Sequence, residues 1–289
     1  MEKKIILITG ATGGLGKETA IQLARQGHTV IVHGRSKNKT QTIADEIKQL
    51  TGNTDIQIAV ADLGSFAEIQ SMVSDIEKHF DHLDVLINNA GAQFWERELT
   101  TDGREKTMNT NVFAPFLLTY LLLPLLHKAT SARVVTVSSA SHSAGGEAQM
   151  DDIESEKNYV MTTAYGLSKR YIIWVMRHFV KYAKEQGYDN ITFNCAHPAS
   201  TPSDLGRDVM KKSKLWNVIM RLWGAIMTIP VEKAAYGSVW LATSPEAEGK
   251  NDLYVGPKGI EKPSEKSYSA SNEQAVWNYC MQVTKDFRK

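Results

Sequence analysis

The sequence of this 289-residue chain predicts an α/β fold with a doubly wound, mostly parallel sheet covered by helices on both faces. Short apolar runs alternate with longer amphipathic segments up to about residue 195. The runs are nearly all apolar, as expected of strands that are buried on both faces. No Pro/Ser/Gly linker or shift in composition divides the chain, so we expect a single domain over residues 1–289.

Six apolar runs have the length of buried strands. We predict parallel strands at Lys4–Thr9, Thr29–His33, Ile56–Ala61, Val85–Asn88, Arg133–Ser138 and Ile191–Cys195. Helical spacing of apolar residues predicts helices at Gly16–Gln26, Lys39–Leu50, Ser65–His79 and Ser168–Lys184. Three of these helices are followed by glycines suited to end them, namely Gly27, Gly52 and Gly187.

The composition excludes several classes of protein. The longest apolar stretch, Val112 to Leu126, is shorter than the ~20 residues that span a bilayer, so we predict a buried helix and no transmembrane segment. Lys and Arg number 33 against 32 Asp and Glu, and this balance offers no field for nucleic acid. Cys195 and Cys280 cannot form a disulfide framework or a metal cluster, and no metal site is predicted. These features favour the reducing cytoplasm.

The first strand leads directly into a glycine-rich turn and a helix. Such a turn lets a pyrophosphate approach the helix N-terminus, with Gly10 forming the tight turn and Gly14 and Gly16 allowing close approach. The GxxxGxG spacing differs from GxGxxG, and packing of the helix on the strand is the alternative explanation. A bound dinucleotide on a Rossmann-type sheet would contact Gly10, Thr12, Gly13, Gly14, Leu15 and Gly16.

The end of the second strand indicates which dinucleotide binds. An acid there holds the ribose of NAD, whereas an arginine accepts the 2′-phosphate of NADP. Arg35 offers a fork to phosphate and Ser36 a hydroxyl, and no acid lies in this turn. We predict that NADP(H) is preferred and that NAD(H) is possible, with a solvated basic loop as the alternative explanation.

Two further strand ends offer cofactor contacts. Asp62, followed by Leu63, is placed to meet the adenine amino group, or alternatively to cap the helix that starts near Ser65. The fourth strand ends in NNAG at 88–91, and the predicted cofactor contacts there are Asn89, Ala90 and Gly91.

A tyrosine four residues before a lysine suggests the chemistry. A phenol donates a proton to a carbonyl at neutral pH only if its pKa of about 10 is lowered. Tyr165 and Lys169 share a face of the predicted helix, so we expect the ammonium to lower the phenol pKa; a surface helical pair is the alternative. A second YxxxK, from Tyr254 to Lys258, contains Gly and Pro and is discarded.

Two more polar residues complete a candidate site. Ser139 follows the fifth strand, where ligands bind in open parallel sheets, and is predicted to hydrogen-bond the substrate oxygen. For the neighbouring Ser138 we expect the structural alternative, a side chain that points into the fold. Asn111 lies in the long apolar helix and is predicted to hold a proton-relay water.

Together, TGATGGLG at 9–16, NNAG, Asn111, Ser139, Tyr165 and Lys169 resemble the short-chain dehydrogenase/reductase family. The resemblance implies a catalytic tetrad of Asn111, Ser139, Tyr165 and Lys169, with Tyr165 as acid/base and Lys169 also holding the nicotinamide ribose. Pro198 is implied as a cofactor contact, although Ala199 stands where the family commonly has glycine. Ser203, or alternatively Thr201, takes the place of the threonine that holds the carboxamide.

VSSASH at 137–142, the long interval between Ser139 and Tyr165, and ATSP at 242–245 resemble the retinol dehydrogenase-like branch. The resemblance implies a lipophilic carbonyl or alcohol substrate and an extra loop at 143–160 beside the site. Residues 204–229 contain a Met- and Trp-rich amphipathic segment, predicted to be a substrate lid, with core packing or peripheral membrane contact as alternatives.

The function predicted from the sequence is that of a cytoplasmic NADP(H)-dependent oxidoreductase, of carbonyl reductase or alcohol dehydrogenase type. A homodimer or homotetramer is implied by the resemblance. Two alternatives stay open: a non-redox member of the same family, and a nucleotide-sensing binding protein without turnover.

Overall fold

The computed structural model describes residues 2–198 and 229–288. The described residues form one sheet in the order β3-β2-β1-β4-β5-β6-β7-β8. Its strands are β1 Ile5–Ile8, β2 Thr29–Gly34, β3 Ile56–Val60, β4 Val85–Asn88, β5 Ala132–Val137, β6 Ile191–Ala196, β7 Tyr254–Gly256 and β8 Gly259–Glu261. The strand order reverses between β1 and β4, as in a doubly wound Rossmann-type sheet, so the predicted fold class is confirmed.

Each of the six predicted strands lies within one residue of a strand from β1 to β6. The prediction of only six strands is wrong, because β7 extends the parallel sheet and β8 pairs with β7 in the antiparallel direction. Each of these two strands has three residues, too few to show a strand periodicity in the sequence.

Helices cover both faces of the sheet. They are α1 Gly14–Arg25, α2 Lys37–Thr51, α3 Phe66–His79, α4 Lys106–His127, α5 Met161–Glu185, α6 Val231–Ala234, α7 Tyr236–Thr243 and α8 Ala270–Val283. Gly27, Gly52 and Gly187 have positive φ angles, as expected of residues that end helices. Helix α5 begins at Met161, before the predicted start at Ser168. The sequence did not indicate this earlier start because the preceding residue, Val160, gives no side-chain capping signal.

The two faces of the sheet pack into two apolar clusters. Leu7 of β1 belongs to the cluster beneath α3, α4, α5 and α8, whereas its neighbours Ile6 and Ile8 belong to the cluster beneath α1, α2 and α7. This alternation follows from the two-residue period of a strand. The sheet is therefore covered by an apolar layer on each face.

Helix α4 carries the apolar stretch that the sequence analysis singled out. Among the described helices, it has the length and hydropathy needed to cross a membrane, at 22 residues. However, 72% of its most apolar window is buried inside the protein, where the helix packs against α3 and α5. Its apolar composition is therefore accounted for by core packing, as predicted.

Candidate active site

The glycine-rich turn joins β1 to α1 at the carboxyl edge of the sheet. Gly10 and Gly14 adopt φ angles of +64° and +51°, which favour glycine, and a Cβ at Gly14 would point into open space. Gly13 precedes the helix without a side-chain capping bond, and the first turn carries no acid. The first N–H groups of α1 are therefore left for an anion, so these residues fit a dinucleotide pyrophosphate.

The NNAG segment after β4 holds this turn in place. Asn89 Nδ2 donates to the Thr9 carbonyl at 2.8 Å, and the Ala90 amide donates to Thr9 Oγ1 at 3.0 Å. A Cβ on Gly16 would lie 2.4 Å from Asn89 Nδ2. The missing side chain of Gly16 therefore makes room for Asn89, and the expectation that Gly16 also allows approach of the pyrophosphate stays a prediction.

A histidine that the sequence analysis did not consider connects three of the turns. His33, at the end of β2, accepts from the Gly10 amide through Nδ1 at 3.1 Å and donates through Nε2 to the Ala61 carbonyl at 3.1 Å. Burial lowers its pKa to about 4, so the ring is neutral and its tautomer is set by these two partners. A polar residue at the end of a buried strand was the available sequence signal.

The turn after β2 has the features of an anion site. Arg35 is exposed, and Ser36 precedes α2 without a side-chain capping bond. The first turn of α2 contains no acid. A Cβ on Gly34 would lie 2.4 Å from Thr12 Cγ2, so this turn packs directly against the glycine-rich turn. The two turns together can hold the two ends of one phosphorylated ligand.

The turn after β3 shows which residue caps helix α3. Asp62 is exposed and accepts from the Gly64 amide at 2.8 Å, whereas Ser65 accepts from the Glu68 amide at the start of α3. Ser65 is therefore the cap, and the alternative in which Asp62 caps this helix is wrong. The Leu63 side chain is buried, and its carbonyl accepts from Asn109.

The structure brings Tyr165, Ser139 and Lys169 together beside the glycine-rich turn. The Tyr165 side chain is 7% exposed and is hydrogen-bonded to the side chain of Ser139. Ser139 Oγ also accepts from the Ser141 amide at 3.2 Å. Ser138 instead donates to the Lys169 carbonyl at 2.7 Å, so it points into the fold, as its alternative reading expected.

The electrostatics differ from the sequence prediction. Lys169 Nζ lies 5.9 Å from the centre of the Tyr165 ring and donates to the Val137 carbonyl at 2.9 Å. Burial lowers the pKa of Lys169 to about 8, and burial raises the pKa of Tyr165 to about 12 against the effect of the Ser139 hydrogen bond. The prediction of a lowered phenol pKa is therefore wrong for the protein alone, because desolvation by burial is the largest cause and raises the pKa of Tyr165.

Asn111 lies in a π-helical turn, Asn109–Phe113, within α4. Its Oδ1 accepts from the Ala92 amide at 3.0 Å, and its Nδ2 donates to the Ala92 carbonyl and to Ser168 Oγ. The side chain therefore ties the loop after β4 to α5. Its amide group is occupied by protein partners, and a proton-relay water at Asn111 stays a prediction.

The loop at 143–160 packs against the start of α5. A Cβ on Gly166 would lie 2.7 Å from Gly145 Cα and 2.9 Å from the Ser141 carbonyl oxygen. Both of these neighbours are backbone atoms that follow Ser139 in the chain. The glycine after Tyr165 therefore sets the separation between the serine and tyrosine segments.

Gly166→Ala is expected to push these segments apart, because no flexible side chain can yield. We expect a loss of about 1–3 kcal/mol in the free energy of unfolding and a clear fall in turnover. Urea unfolding and steady-state kinetics measure the two effects. Gly146→Ala in the same loop is a contrasting control, since a Cβ there meets nothing and only the positive φ is strained. Unchanged turnover in Gly166→Ala would contradict this view.

Of the remaining predicted site residues, the structure describes Gly91 and Pro198 but not Ser203. Gly91 packs against the tetrad, since a Cβ there would lie 3.0 Å from Lys169 Nζ and 3.2 Å from Asn111 Oδ1. Pro198 follows β6 and is half-buried. Ser203 and Thr201 lie outside the described residues, as do Ala199 and the predicted lid at 204–229 apart from Ile229. Tyr254 lies in β7, so the second YxxxK is not helical, as predicted.

A nucleotide-binding sheet with a buried Tyr–Lys pair beside its glycine-rich turn defines an oxidoreductase of the Rossmann class. The short chain dehydrogenase family model matches residues 4–214. Human polyprenol dehydrogenase is 31% identical over 285 residues, covering 97% of this chain and 85% of that protein. Mouse retinol dehydrogenase 14 is 33% identical over 291 residues, covering 96% and 85%. The chain belongs to the short-chain dehydrogenase family, in its retinol dehydrogenase-like branch.

Solved structures show the same fold. An uncharacterized protein from Mycobacterium paratuberculosis superposes with a TM-score of 0.77 at 27% identity, covering 98% of this chain and 93% of that one. The short chain dehydrogenase from Shigella flexneri superposes with a TM-score of 0.67 at 24% identity, covering 91% and 94%.

Proposed function

We propose that this protein is an NADP(H)-dependent carbonyl reductase or alcohol dehydrogenase that acts on lipophilic substrates. The observation that carries the proposal is the buried Tyr–Lys pair, in which Lys169 Nζ lies 5.9 Å from the centre of the Tyr165 ring, together with the acid-free start of α1 at the glycine-rich turn. These groups supply what carbonyl reduction requires: an acid, a donor to the substrate oxygen and a nearby positive charge.

Each residue has a distinct part in the reaction. A bound nicotinamide cofactor supplies the hydride and, in its oxidised form, a positive charge near the phenol. Ser139 donates its hydroxyl proton in a hydrogen bond to the substrate oxygen, because a carbonyl oxygen can only accept; the Ser141 amide donates to Ser139 Oγ and does not compete for that proton. Tyr165 gives its proton to that oxygen as negative charge develops there, and Lys169 stabilises the resulting phenolate.

The protonation states favour reduction near neutral pH. With its pKa raised to about 12, the Tyr165 phenol is protonated and ready to act as an acid. Lys169, with a pKa of about 8, is mostly protonated at pH 7. Alcohol oxidation requires the phenolate instead, so it depends on the positive charge of the oxidised cofactor and is expected to increase with pH.

The preference for NADP(H) is supported by the turn after β2. Arg35 is exposed, Ser36 makes no capping bond, and the acid-free start of α2 adds its positive dipole end. A 2′-phosphate placed at this turn would meet a charge-assisted donor, a hydroxyl and free amides. A ribose without the 2′-phosphate would leave these donors without an anion to bind.

Arg35→Ala is expected to raise the KM for NADPH roughly tenfold, because it removes a charge-assisted bond to phosphate. The KM for NADH is expected to change by less than about twofold. Steady-state kinetics with both cofactors provide the measurement. Lys48→Ala, which removes the same charge from the last turn of α2, serves as the control. An equal rise with both cofactors would show that Arg35 does not contact the 2′-phosphate.

A lipophilic substrate is supported by two observations. Trp95, 39% exposed, lies in the loop after β4, and Val160, 46% exposed, immediately precedes α5. The Tyr159 hydroxyl donates to the Phe94 carbonyl at 2.8 Å, so these two segments lie side by side. The names of the two similar proteins, polyprenol dehydrogenase and retinol dehydrogenase 14, also refer to long apolar alcohols.

A cytoplasmic location is supported by the two cysteines, which are buried and free.

The proposal is tested by following NADPH absorbance with a series of aldehydes and ketones from acetone-sized to long-chain and aromatic compounds. We expect kcat/KM to increase with the apolar area of the substrate. Equal activity across the series would contradict a lipophilic site. Absence of any absorbance change would favour a non-redox member of the family or a nucleotide-binding protein without turnover.

A further inference from the structure

Three donors converge on the main-chain carbonyl of Ser139. The His142 amide donates to this oxygen at 3.1 Å, His142 Nδ1 lies 2.7 Å from it, and the Tyr254 hydroxyl lies 3.3 Å from it. A single turn of helix explains only the first of these bonds. The other two come from buried side chains, and Tyr254 belongs to β7, far from Ser139 in the sequence.

The partners of His142 determine its tautomer. Nδ1 faces a carbonyl oxygen, which can only accept, and Nε2 faces the Ser264 amide at 2.8 Å, which can only donate. The ring must therefore carry its proton on Nδ1 and be neutral. Burial is the main cause that lowers the pKa of His142, which agrees with this neutral form.

Tyr254 completes the arrangement. Its hydroxyl lies 3.2 Å from His142 Nδ1, but that nitrogen already bears a proton, so the phenol donates to the Ser139 carbonyl. Burial raises the pKa of Tyr254, which keeps it a donor. Its ring is held between two imidazoles, edge-on to His142 at 5.2 Å and stacked on His197 at 4.9 Å.

We propose that His142 and Tyr254 are positioning residues, which hold the Ser139 hydroxyl in place for the reaction by fixing its main-chain carbonyl. The inference rests on the proposed function, in which Ser139 Oγ touches the substrate oxygen. Fixing the carbonyl fixes the peptide plane of Ser139, and with it the direction in which the side chain leaves the backbone. An error of about 1 Å in such a position is costly to catalysis.

Tyr254→Phe tests the inference because it removes one hydroxyl and keeps the stacked ring. We expect kcat to fall roughly fivefold to tenfold, while the KM for NADPH changes by less than about twofold. Tyr182→Phe is the matched control, since it removes a hydroxyl that donates to Tyr120 Oη at the far end of α5. It is expected to leave kcat unchanged.

A double-mutant cycle separates positioning from a general structural role. In a Ser139→Ala background the hydroxyl is absent, so Tyr254→Phe is expected to cause no further fall in kcat. An equal fall in both backgrounds, or no fall in either, would overturn the proposal. His142→Asn retains an N–H group on Cγ and is expected to keep more turnover than His142→Phe; equal losses would also count against the proposal.

The tautomer is measured without any substrate. Nitrogen-15 NMR of labelled histidine is expected to show His142 neutral with its proton on Nδ1, and a proton on Nε2 would overturn the arrangement. A wild-type enzyme without turnover would instead contradict the proposed function, and the NMR result would still report on the bond to Ser139.

Discussion

Tyr165→Phe is expected to lower kcat by roughly three orders of magnitude while NADPH binding changes little. The substitution removes the proton that the reaction requires, a contribution of about 10²–10⁴-fold for general acid catalysis. Only the bond to Ser139 is lost, since burial of the ring is retained. Single-turnover kinetics and NADPH fluorescence titration measure the two effects separately.

The control for this variant is Tyr171→Phe. Tyr171 lies on the same helix, is also buried, and has its pKa raised to about 12 by the same main cause, burial. Its hydroxyl accepts from the Gln149 amide rather than from a site residue. Comparable losses of kcat in both variants would mean that burial of a phenol on α5, and not proton donation by Tyr165, supports turnover.

Lys169→Met is expected to abolish most turnover and at the same time to stabilise the protein. The wild-type lysine is 3% exposed, and burial lowers its pKa from 10.5 to about 8. A shift of this size represents about 3 kcal/mol against the folded state at neutral pH. Loss of the bond to the Val137 carbonyl returns about 1 kcal/mol or more. The net gain is about 1–2 kcal/mol.

The contribution of Lys169 to the free energy of unfolding is expected to depend on pH. Between about pH 8 and 10.5 the unfolded lysine binds a proton that the folded one has lost, so this group makes stability rise with pH in that window. The stability advantage of Lys169→Met over the wild type is therefore expected to fall from pH 7 to 10.5 and to reverse near pH 10.5, where the lost bond to the Val137 carbonyl outweighs what remains of the penalty. Urea unfolding at several pH values measures it, with the exposed Lys184→Met as control. A Lys169→Met variant that is less stable than the wild type at pH 7 would refute this account of the site.

Parts of the site were predictable because their signals are local. The glycine turn follows a strand directly, and Tyr165 and Lys169 are separated by one turn of a helix, so neighbouring residues alone indicate their geometry. The spacing could not indicate the electrostatics. Burial of Tyr165 depends on segments distant in the sequence, and its desolvation reversed the expected direction of the pKa shift.

The residues that the sequence analysis missed share a different property. His33 joins the Gly10 turn to the end of β3, and Tyr254 reaches Ser139 from a strand of three residues. Each acts through a contact between segments that are far apart in the chain. No periodicity or short motif in the sequence indicates such a contact.

By itself, the sequence determined the order of strands and helices, the family, and the identity of the tyrosine, serine and lysine that meet at the sheet edge. These follow from apolar periodicity and from short spacings, in which one residue constrains the next few. The tertiary structure decided the β7–β8 pairing, the neutral histidines and the proton affinities of the Tyr165 and Lys169 side chains. Those depend on which distant groups remove water from a side chain, and desolvation is a property of the packed fold.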